Sequence, residues 1–513
     1  MMNPVDYIVG FFSANQALSR AVDRSAYASF RRMEKASMSY NATGNGRRGY
    51  KSTGDGSAKA IGMQNLVTAR KNTRDMYRNN SIYKAAVNAK TRHTIGNGIR
   101  PSIVDTKPNK SQARKRKIEQ VQKLVSTWAN SIHSDVYGVH NLFGQQFLGY
   151  KTMCNAGEYL ILRQRTLEKK SGLHLQLKML EGDYLDHLKT TTNPDTGNAI
   201  INGVEFNDTD GEVAYWLFDQ HPGDIGMFKR FTLKSRRHDA ENVIHMFDCE
   251  RPGMIRGLPK GLASFTKIKN LEEFQDARLE QMKVAACLVG VVKTTSRKLN
   301  NGETASPLPA QMQPGAIMEM DANQDITFNQ PPSVSGQHDF VTEELHQIAS
   351  DFEITYPALT GDYSKVNFSS GRLGRLDMYS AIENDRARIV IPRMLDKIWG
   401  WLQDAMDLQG VPVRDFDCSW IPPSREMFDP TKEIPPLLKA VRGGLKPMQE
   451  ALLEMGKNPD TVLDQYRDWN EKLDDRNLIF DTDPRHVSGA GNPNQVPEEK
   501  DDDKQTNPGN GDS

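Results

Sequence analysis

Several features that define common protein classes are scarce or missing in this sequence. The four cysteines lie far apart and form no CxxC pair, which excludes a disulfide scaffold and predicts buried, reduced thiols. No stretch approaches the roughly 18 uncharged apolar residues of a membrane-spanning helix, which excludes a membrane protein. The most apolar N-terminal stretch, residues 7–14, is too short for a signal peptide and has no basic leader.

Motifs of enzyme chemistry are also missing. The sequence has no GxxxxGK[ST] phosphate loop, no HExxH and no His/Cys cluster at zinc spacing. The GxGxxG match at 44–49 has no predicted strand before it and no helix after it, so a linker is the better interpretation. The acid pairs Asp415/Asp417 and Asp481/Asp483 are weak candidates for a magnesium site. We therefore predict no catalytic residue, no metal and no cofactor.

Charge is balanced overall but unevenly distributed along the chain. The 66 Lys and Arg against 65 Asp and Glu give a formal net charge of +1. Residues 1–120 carry 23 basic and 7 acidic residues, whereas the remainder carries 43 basic and 58 acidic ones. A basic arm on an acidic body suggests a nucleic-acid or acidic-protein partner for the arm. The basic cluster 114–117 is either a solvated helix start or a phosphate contact.

Hydrophobic periodicity predicts an α+β body. Residues 37–64, rich in Gly, Ser and Asn, predict a flexible segment, with order beginning near Asn65. Helical spacing follows in three segments and then gives way to short alternating runs separated by turn residues, which predict a mostly antiparallel sheet. The predicted helices are 65–95, 117–133 and 140–155, and the predicted strands are 159–162, 173–177, 200–206, 213–218 and 243–247.

The second half of the chain is predicted to be mainly helical. A long helix at 262–289 precedes an insert at 293–337 with strand-like runs at 317–320 and 326–328, and a second helix covers 339–354. A polar loop at 361–372 leads into a helical stretch to about 408, then short helices at 434–470 and a disordered tail after 481. The first long helix has an apolar stripe, which either packs in the chain's own core or meets an adjacent copy in a closed ring. The stripe consists of Phe265, Ile268, Leu271, Phe274 and Met282.

Several separated motifs lie between about residues 64 and 470. They are ARKNTRDMYRNN at 69–80 with IGNG at 95–98, GEY at 157–159, GVEFN at 203–207 with GEVAY at 211–215, IHMF at 244–247 with RPGMIRGLP at 251–259, Asp276-Ala277, YSKVNFSSGR at 363–372, and DPTKE at 429–433 with GGL at 443–445. Each motif is weak alone, but their order and spacing together are specific. In these motifs the chain resembles the lambda-type family of tailed-phage portal proteins.

The resemblance implies a portal-type fold, assembled as a dodecameric ring around a DNA channel. The fold would contain a helical stem pair, a β-containing clip insert, an α/β wing and a helical crown. Mapped by motif, the regions are a basic arm 1–64, the first part of the wing 65–260, a stem helix 261–292, the clip 293–337, a second stem helix 338–358, a channel loop 359–372, a long helix with the rest of the wing 373–433, the crown 434–480 and a tail 481–513.

The resemblance also implies particular contacts and partners. The channel loop would touch DNA through Lys365, Asn367, Phe368, Ser369, Arg372 and Arg375, unless this segment is an ordinary surface turn with a helix N-cap. The stem stripe would contact the adjacent subunit. The expected partners are double-stranded DNA, the terminase large subunit, a major capsid or scaffold protein and a head–tail connector, in the virion and in the host cytoplasm during assembly. A metal-dependent nuclease or recombinase with a basic DNA-binding arm is the alternative, and a monomeric nucleic-acid-binding module is a third option.

Overall fold

The structure is a computed structural model that describes residues 58–107, 111–224, 234–286, 290–294, 324–328, 337–424, 427, 429–480 and 485. Most of the predicted insert, with its expected strand at 317–320, lies outside the described residues. So do the first 57 residues of the arm and nearly all of the predicted tail. The chain divides into two compact units, residues 1–423 and residues 424–513. None of the described helices has the length and apolar character needed to span a lipid bilayer.

Nine α-helices are described in the first unit. A proline-containing π-helical segment, Arg386–Leu395, joins the last two, and Pro392 within it has no N–H with which to continue an α-helical pattern. Asn80 separates the first two helices by capping the second, because its side-chain oxygen accepts from the N–H groups of Ile82 and Tyr83. The helices are α1 Ala58–Asn79, α2 Ser81–Ile95, α3 Gln112–Asn130, α4 Leu142–Ala156, α5 Phe265–Ala286, α6 Gln337–Asp351, α7 Tyr356–Thr360, α8 Phe368–Asp385 and α9 Asp396–Asp407.

The strands of the first unit pair antiparallel throughout the described ranges. They form a three-stranded sheet in the order β3-β2-β9, a five-stranded sheet β4-β5-β6-β7-β8, and the pairs β1-β12 and β10-β11. The strands are β1 Arg100–Asp105, β2 Glu158–Arg165, β3 Leu175–Glu181, β4 Thr191–Thr192, β5 Ala199–Ile201, β6 Val204–Phe206, β7 Glu212–Phe218, β8 Ser235–Asp239, β9 Val243–Phe247, β10 Gly290–Thr294, β11 Gln324–Phe328 and β12 Phe416–Ile421.

Strand β2 is the central strand of the three-stranded sheet, and its first four residues are buried on both faces. Its alternating side chains divide between two cores: Tyr159 and Ile161 pack in the large helical core, while Leu160 packs with residues of the five-stranded sheet such as Tyr215. On α3, Trp128 is fully buried, and its indole N–H donates to the carbonyl oxygen of Leu175, 2.8 Å away. The helices and the larger sheet therefore cover opposite faces of the three-stranded sheet.

The second unit contains three described helices: α10 Pro430–Arg442, α11 Met448–Glu454 and α12 Pro459–Asp474. Helix α11 packs against both α10 and α12. The chain reverses after α10 at Gly443 and Gly444, and Gly444 has the left-handed φ of 71° that glycine adopts without strain. This arrangement confirms the short helices predicted for 434–470.

Most predicted elements are confirmed with shifted ends, but the helix predicted at 65–95 is two helices, the strand predicted at 200–206 is two strands, and two predicted loops are shorter than expected. Helix α1 begins at Ala58, within the segment predicted to be flexible, because the alanines, lysine and methionine of 58–63 favour a helix more than the neighbouring glycines oppose it. Helix α8 begins at Phe368, so residues 368–372 are helical and the polar loop is shorter than predicted. The mixed helix–strand class and the antiparallel sheet are confirmed.

Candidate functional site

The polar loop joins α7 to α8 and is held by local hydrogen bonds. It leaves α7 at Gly361, whose φ of 75° is left-handed. A carboxylate oxygen of Asp362 accepts from the backbone N–H of Ser364 at 2.9 Å. Asn367 and Ser370 form a capping box, since the Asn367 side chain accepts from the Ser370 N–H at 2.8 Å and the Ser370 hydroxyl accepts from the Asn367 N–H at 3.2 Å. The alternative of a surface turn with a helix N-cap therefore describes the local backbone.

The predicted DNA-contact residues surround the beginning of α8. Lys365, Asn367, Ser369 and Arg372 are exposed, and Phe368 is 42% exposed. No acidic residue lies in the first turn, where the partial positive charge of the helix N-terminus adds to the two cations. The N-terminal end of α8 is therefore suited to bind an anionic ligand.

Arg375 differs from the other predicted contact residues. It is half-buried and donates to the Tyr379 hydroxyl at 3.1 Å, and its guanidinium also lies over the Tyr379 ring, 5.6 Å from the ring centroid. Its side chain is therefore already held one helical turn further along α8.

The predicted stem stripe divides between the chain's own core and the surface. Ile268 and Leu271 are 0% and 1% exposed and belong to the large core of the first unit, so they are not available to an adjacent subunit. Phe265 packs against that core, and Phe274 meets Phe340 of α6 edge to face, with 5.2 Å between ring centroids. These four side chains therefore pack within their own chain, which was the alternative to a contact with an adjacent copy. This corrects the subunit-contact interpretation of Ile268 and Leu271.

The exposed part of α5 lies nearer its C-terminal end. Met282 is 55% exposed and Leu279 is 52% exposed. At the other end, the side chain of Asp351, the last residue of α6, accepts from both the backbone N–H and the hydroxyl of Ser264, at 3.0 and 2.6 Å. The two long helices are thus joined at the start of α5 and the end of α6. Met282 is the exposed member of the predicted stripe, and Leu279, which was not predicted, is exposed beside it.

A group of charges, the junction cluster, lies where these helices meet α8; Lys90 and Asp385 are buried in it, whereas Glu353 is about half exposed. It consists of Lys90, Lys260, Glu353 and Asp385. The Lys90 ammonium lies 2.7 Å from a carboxylate oxygen of Glu353 and 3.1 Å from one of Asp385, and Tyr150 donates to Asp385 at 2.6 Å. The cluster joins α2, the approach to α5, the segment after α6 and the last residue of α8.

Opposing effects set the ionisation of the junction cluster. Burial by itself raises the pKa of Asp385, but Lys260, Lys90 and the hydrogen bonds from Tyr150 and Lys90 together lower that pKa below its usual range. Burial likewise opposes the charge of Lys260, yet Asp385 and other acidic groups nearby raise its pKa. Glu353 also has a left-handed φ of 53°, an uncommon conformation for a residue other than glycine.

Sequence reasoning missed the junction cluster, although one signal pointed to it. Lys90 lies four residues after Ala86 and three after Val87, so helical spacing places it on the buried face of α2. A lysine at such a position requires acidic partners within reach of its ammonium group. Nothing in the local pattern indicates that these partners are Glu353 and Asp385, more than 260 positions away in the sequence.

A second buried centre brings several of the separated motifs together. The Glu158 carboxylate accepts from Arg70 at 2.6 Å, from Arg256 Nε at 2.9 Å and from the Gly257 N–H at 3.1 Å, and it lies 3.0 Å from His245 Nε2. Burial alone raises the pKa of Glu158, but Arg256 and Arg70, together with hydrogen bonds from His245, hold it well below its usual range. The motifs at 69–80, 157–159, 244–247 and 251–259 therefore meet at one carboxylate. We define these four side chains as the Glu158 cluster.

The other residues singled out in the sequence have structural contacts. Arg114 donates to both carboxylate oxygens of Asp105 and lies 5.0 Å from the centroid of the Phe416 ring, so it holds α3 on the β1-β12 pair. Asp415 lies 2.7 Å from the Lys107 ammonium. Asp481 and Asp483 lie outside the described residues. The basic cluster at 114–117 thus begins with a residue that is engaged within the fold.

Within the described ranges, Glu181, Asp183 and His221 are the group whose spacing could hold a metal ion. Arg74 lies between the two carboxylates, 2.9 Å from Glu181 and 2.6 Å from Asp183. The His221 ring lies 3.2 Å from Glu181. An arginine therefore already supplies the positive charge at this position.

Comparison with known proteins identifies the family. The family described as phage portal protein, lambda family, matches residues 44–386, about two thirds of the chain. The chain belongs to this family of phage portal proteins.

Two portal proteins of phages are relatives of the chain. A probable portal protein of Halomonas phage phiHAP-1 is 28% identical over 381 residues, which cover 68% of this chain and 69% of that protein. The portal protein of Escherichia phage N15 is 20% identical over 469 residues, which cover 80% of this chain and 85% of that protein.

Two solved structures match most of the chain at low similarity. A chain from the neck of the native GTA particle, computed with C12 symmetry, has a TM-score of 0.44 and 13% identity, covering 77% of this chain and 94% of that chain. An HK97 family phage portal protein from Corynebacterium diphtheriae has a TM-score of 0.30 and 9% identity, covering 72% of this chain and 96% of that one.

Proposed function

We propose that the protein forms a ring of twelve copies at one vertex of a tailed-phage capsid, through which double-stranded DNA is packaged and later ejected. The family supports this role. In this proposal the chain performs no catalysis, requires no cofactor, and leaves ATP hydrolysis to a separate motor. It acts in the virion and, during assembly, in the host cytoplasm.

The observation that carries the proposal is the exposed cationic beginning of α8. Lys365 and Arg372 flank a helix N-terminus without acidic residues, next to the exposed amide and hydroxyl of Asn367 and Ser369. A duplex that must slide can be held by only a few phosphate contacts, because each neutralised phosphate adds a counterion-release contribution to binding. Each copy would contribute one such helix start, and the rest of the chain carries an excess of acidic residues. The DNA would therefore meet a few weak phosphate contacts repeated around the channel.

The remaining regions are assigned by the same proposal. Residues 65–260 and 373–433 form the wing, and α5 and α6 form the stem. Residues 293–337 form the clip, on which the terminase large subunit docks first and the head–tail connector later. Residues 434–480 form the crown, inside a shell made by the major capsid or scaffold protein. The stem contact with the adjacent subunit involves Leu279 and Met282, whose side chains are exposed in the single chain.

Replacing the two cations tests the channel assignment. We expect Arg372→Ala and Lys365→Ala to leave rings of normal appearance in negative-stain images but to reduce the DNA packaged or retained per particle, because a phosphate contact is lost from every copy. The matched control is Lys169→Ala, an exposed lysine in the turn between β2 and β3.

Two results would contradict the proposal. Normal DNA retention by both variants would show that this loop does not contact DNA in the channel. The ring itself would be contradicted if the purified wild-type protein showed only compact single particles, with no central hole, at every concentration and ionic strength.

A further inference from the structure

The second unit leaves most of its large apolar side chains uncovered. Among its described residues, Ala451 and Leu473 are the buried apolar ones. Exposed apolar patches of this extent mark protein–protein surfaces, and a unit this small has little core of its own. The exposed residues are Ile434, Leu438, Leu445, Met448, Leu463, Tyr466, Trp469, Leu478, Ile479 and Phe480.

Two of the helices carry these side chains as stripes. On α10, Ile434 and Leu438 are one turn apart and 39% and 47% exposed. On α12, Leu463, Tyr466 and Trp469 follow at three-residue steps and are 55 to 62% exposed. Helix α11 packs against both helices, yet these two stripes remain accessible in the single chain.

The charges beside the two stripes have opposite signs. Helix α10 carries Lys432, Lys439 and Arg442 against one acid, Glu433. Helix α12 carries acids at 460, 464, 468, 471 and 474 against two basic residues. Lys439 and Arg442 make no ion pair within the described part of the chain, and neither does Asp460.

Helix geometry determines the direction in which the stripes fit. At about 3.6 residues per turn, the basic flank of α10 and the acidic flank of α12 lie on the same rotational side of their stripes. Two facing helices bring such flanks together only when they run antiparallel. That direction also places Lys439 and Arg442, at the C-terminal end of α10, beside Asp460 at the N-terminal end of α12, where the helix dipoles favour both charges.

We propose that α10 of one copy packs antiparallel on α12 of the adjacent copy, with Ile434 and Leu438 against Tyr466 and Trp469. The inference rests on the proposed ring and identifies one of its contacts. The occupant is a second copy because one chain carries both complementary surfaces and leaves both exposed. The contact is heterologous, so its repetition around an axis closes a ring.

Charge reversal tests the pairing. We expect Lys439→Glu with Arg442→Glu to raise the protein concentration needed for half-maximal assembly by about tenfold, as measured by mass photometry, and Asp460→Lys with Asp464→Lys to do the same. All four changes together restore the charge complementarity and should return assembly to within about threefold of wild type. Lys457→Glu, an exposed lysine in the same unit, is the matched control and should have little effect.

Cross-linking tests the contact without changing its charge. Cys249, Cys287 and Cys418 are first replaced by serine, which leaves the buried Cys154. In this background Leu438→Cys combined with Tyr466→Cys should give a ladder of covalent multimers with a short bis-maleimide, whereas either introduced cysteine alone should give none. A cross-link confined within single chains, or absent from intact rings, overturns the proposal, as does failure of the four-residue reversal to restore assembly. If the wild-type protein forms no rings, the proposed function itself fails, and that result differs from intact rings unaffected by these changes.

Discussion

Groups from distant parts of the chain hold the Glu158 carboxylate: Arg70 on α1, His245 on β9, and Arg256 with the Gly257 N–H before α5. All three side chains are buried, so water cannot replace a lost partner. A buried charge stripped of its partner is costly, whereas a complete hydrogen-bonded cluster tolerates burial. The stability of this centre therefore depends on all of its members.

We expect Glu158→Gln to lower the free energy of unfolding of the first unit by about 3–5 kcal/mol at pH 7, because two buried arginines lose their counter-charge. The measurement is the urea midpoint followed by tryptophan fluorescence. Glu168→Gln is the control, since that residue is exposed and pairs with the exposed Lys170, and its effect should be small. Equal midpoints for Glu158→Gln and wild type would show that the carboxylate does not hold this centre together.

The same substitution should alter the pH dependence of stability. The pKa of Glu158 is lowered in the folded chain, so its contribution is complete above the unfolded value of about 4.3 and is lost as the pH falls toward the folded pKa. The wild-type midpoint should therefore decline below about pH 4.3, and the Glu158→Gln midpoint should decline less over the same range. A parallel decline in both proteins would assign the acid sensitivity to other carboxylates, such as Asp385.

At the scale of elements, the start of α8 combines order and exposure. The Asn367–Ser370 capping box fixes the first turn, while the side chains of Lys365 and Arg372 remain in solvent. Residues 369–371 were predicted to belong to the polar loop, but the N-cap chemistry makes them helical, because it satisfies backbone N–H groups that a helix start would otherwise leave unpaired. The cations are thus presented from a helix end.

We expect Asn367→Ala to destabilise the first turn of α8 by about 1 kcal/mol, because the Ser370 N–H loses its acceptor. Hydrogen exchange at residues 369–371 should become faster by about fivefold. Asn367→Ser, which retains a side-chain acceptor, should remain close to wild type. Unchanged exchange in the alanine variant would indicate that the turn is held by other contacts.

The order and type of the elements could be predicted from local periodicity, and most of the helices and strands were. The elements that pack against each of these helices and strands could not be predicted in this way. Ile268 and Leu271 follow the same spacing as Met282, yet two are buried in their own chain and one is half exposed. Spacing defines a face of a helix, but the element that covers this face comes from distant sequence. The same reason explains why Lys90 could be placed on a buried face while its partners Glu353 and Asp385 could not be identified.

At the scale of the whole molecule, α5 has two ends with different roles. Its beginning is part of the core, and its far end carries exposed Leu279 and Met282. We expect Met282→Asp to reduce the mass measured by light scattering from many times 57.7 kDa toward that of a single chain, with an unchanged circular dichroism spectrum, because the change places a charge in the proposed subunit contact. Ile268→Asp should instead unfold the chain. If Met282→Asp still formed full-size assemblies, this end of α5 would not be part of the subunit interface.

The main chains at Gly157 and Gly257 lie in contact beside the Glu158 carboxylate. A β-carbon placed on Gly157 would lie 2.5 Å from the Gly257 carbonyl oxygen, and Gly157 already has a φ of 88°. Two main chains therefore touch with no side chain between them, one entering the central strand and the other leading to the first long helix. Any larger residue at either position would force the strand and the approach to that helix apart. The contact between these two glycine backbones therefore sets the distance between the sheet and the start of the helix. A substitution at either glycine can only increase this distance, because the main chains are already in contact.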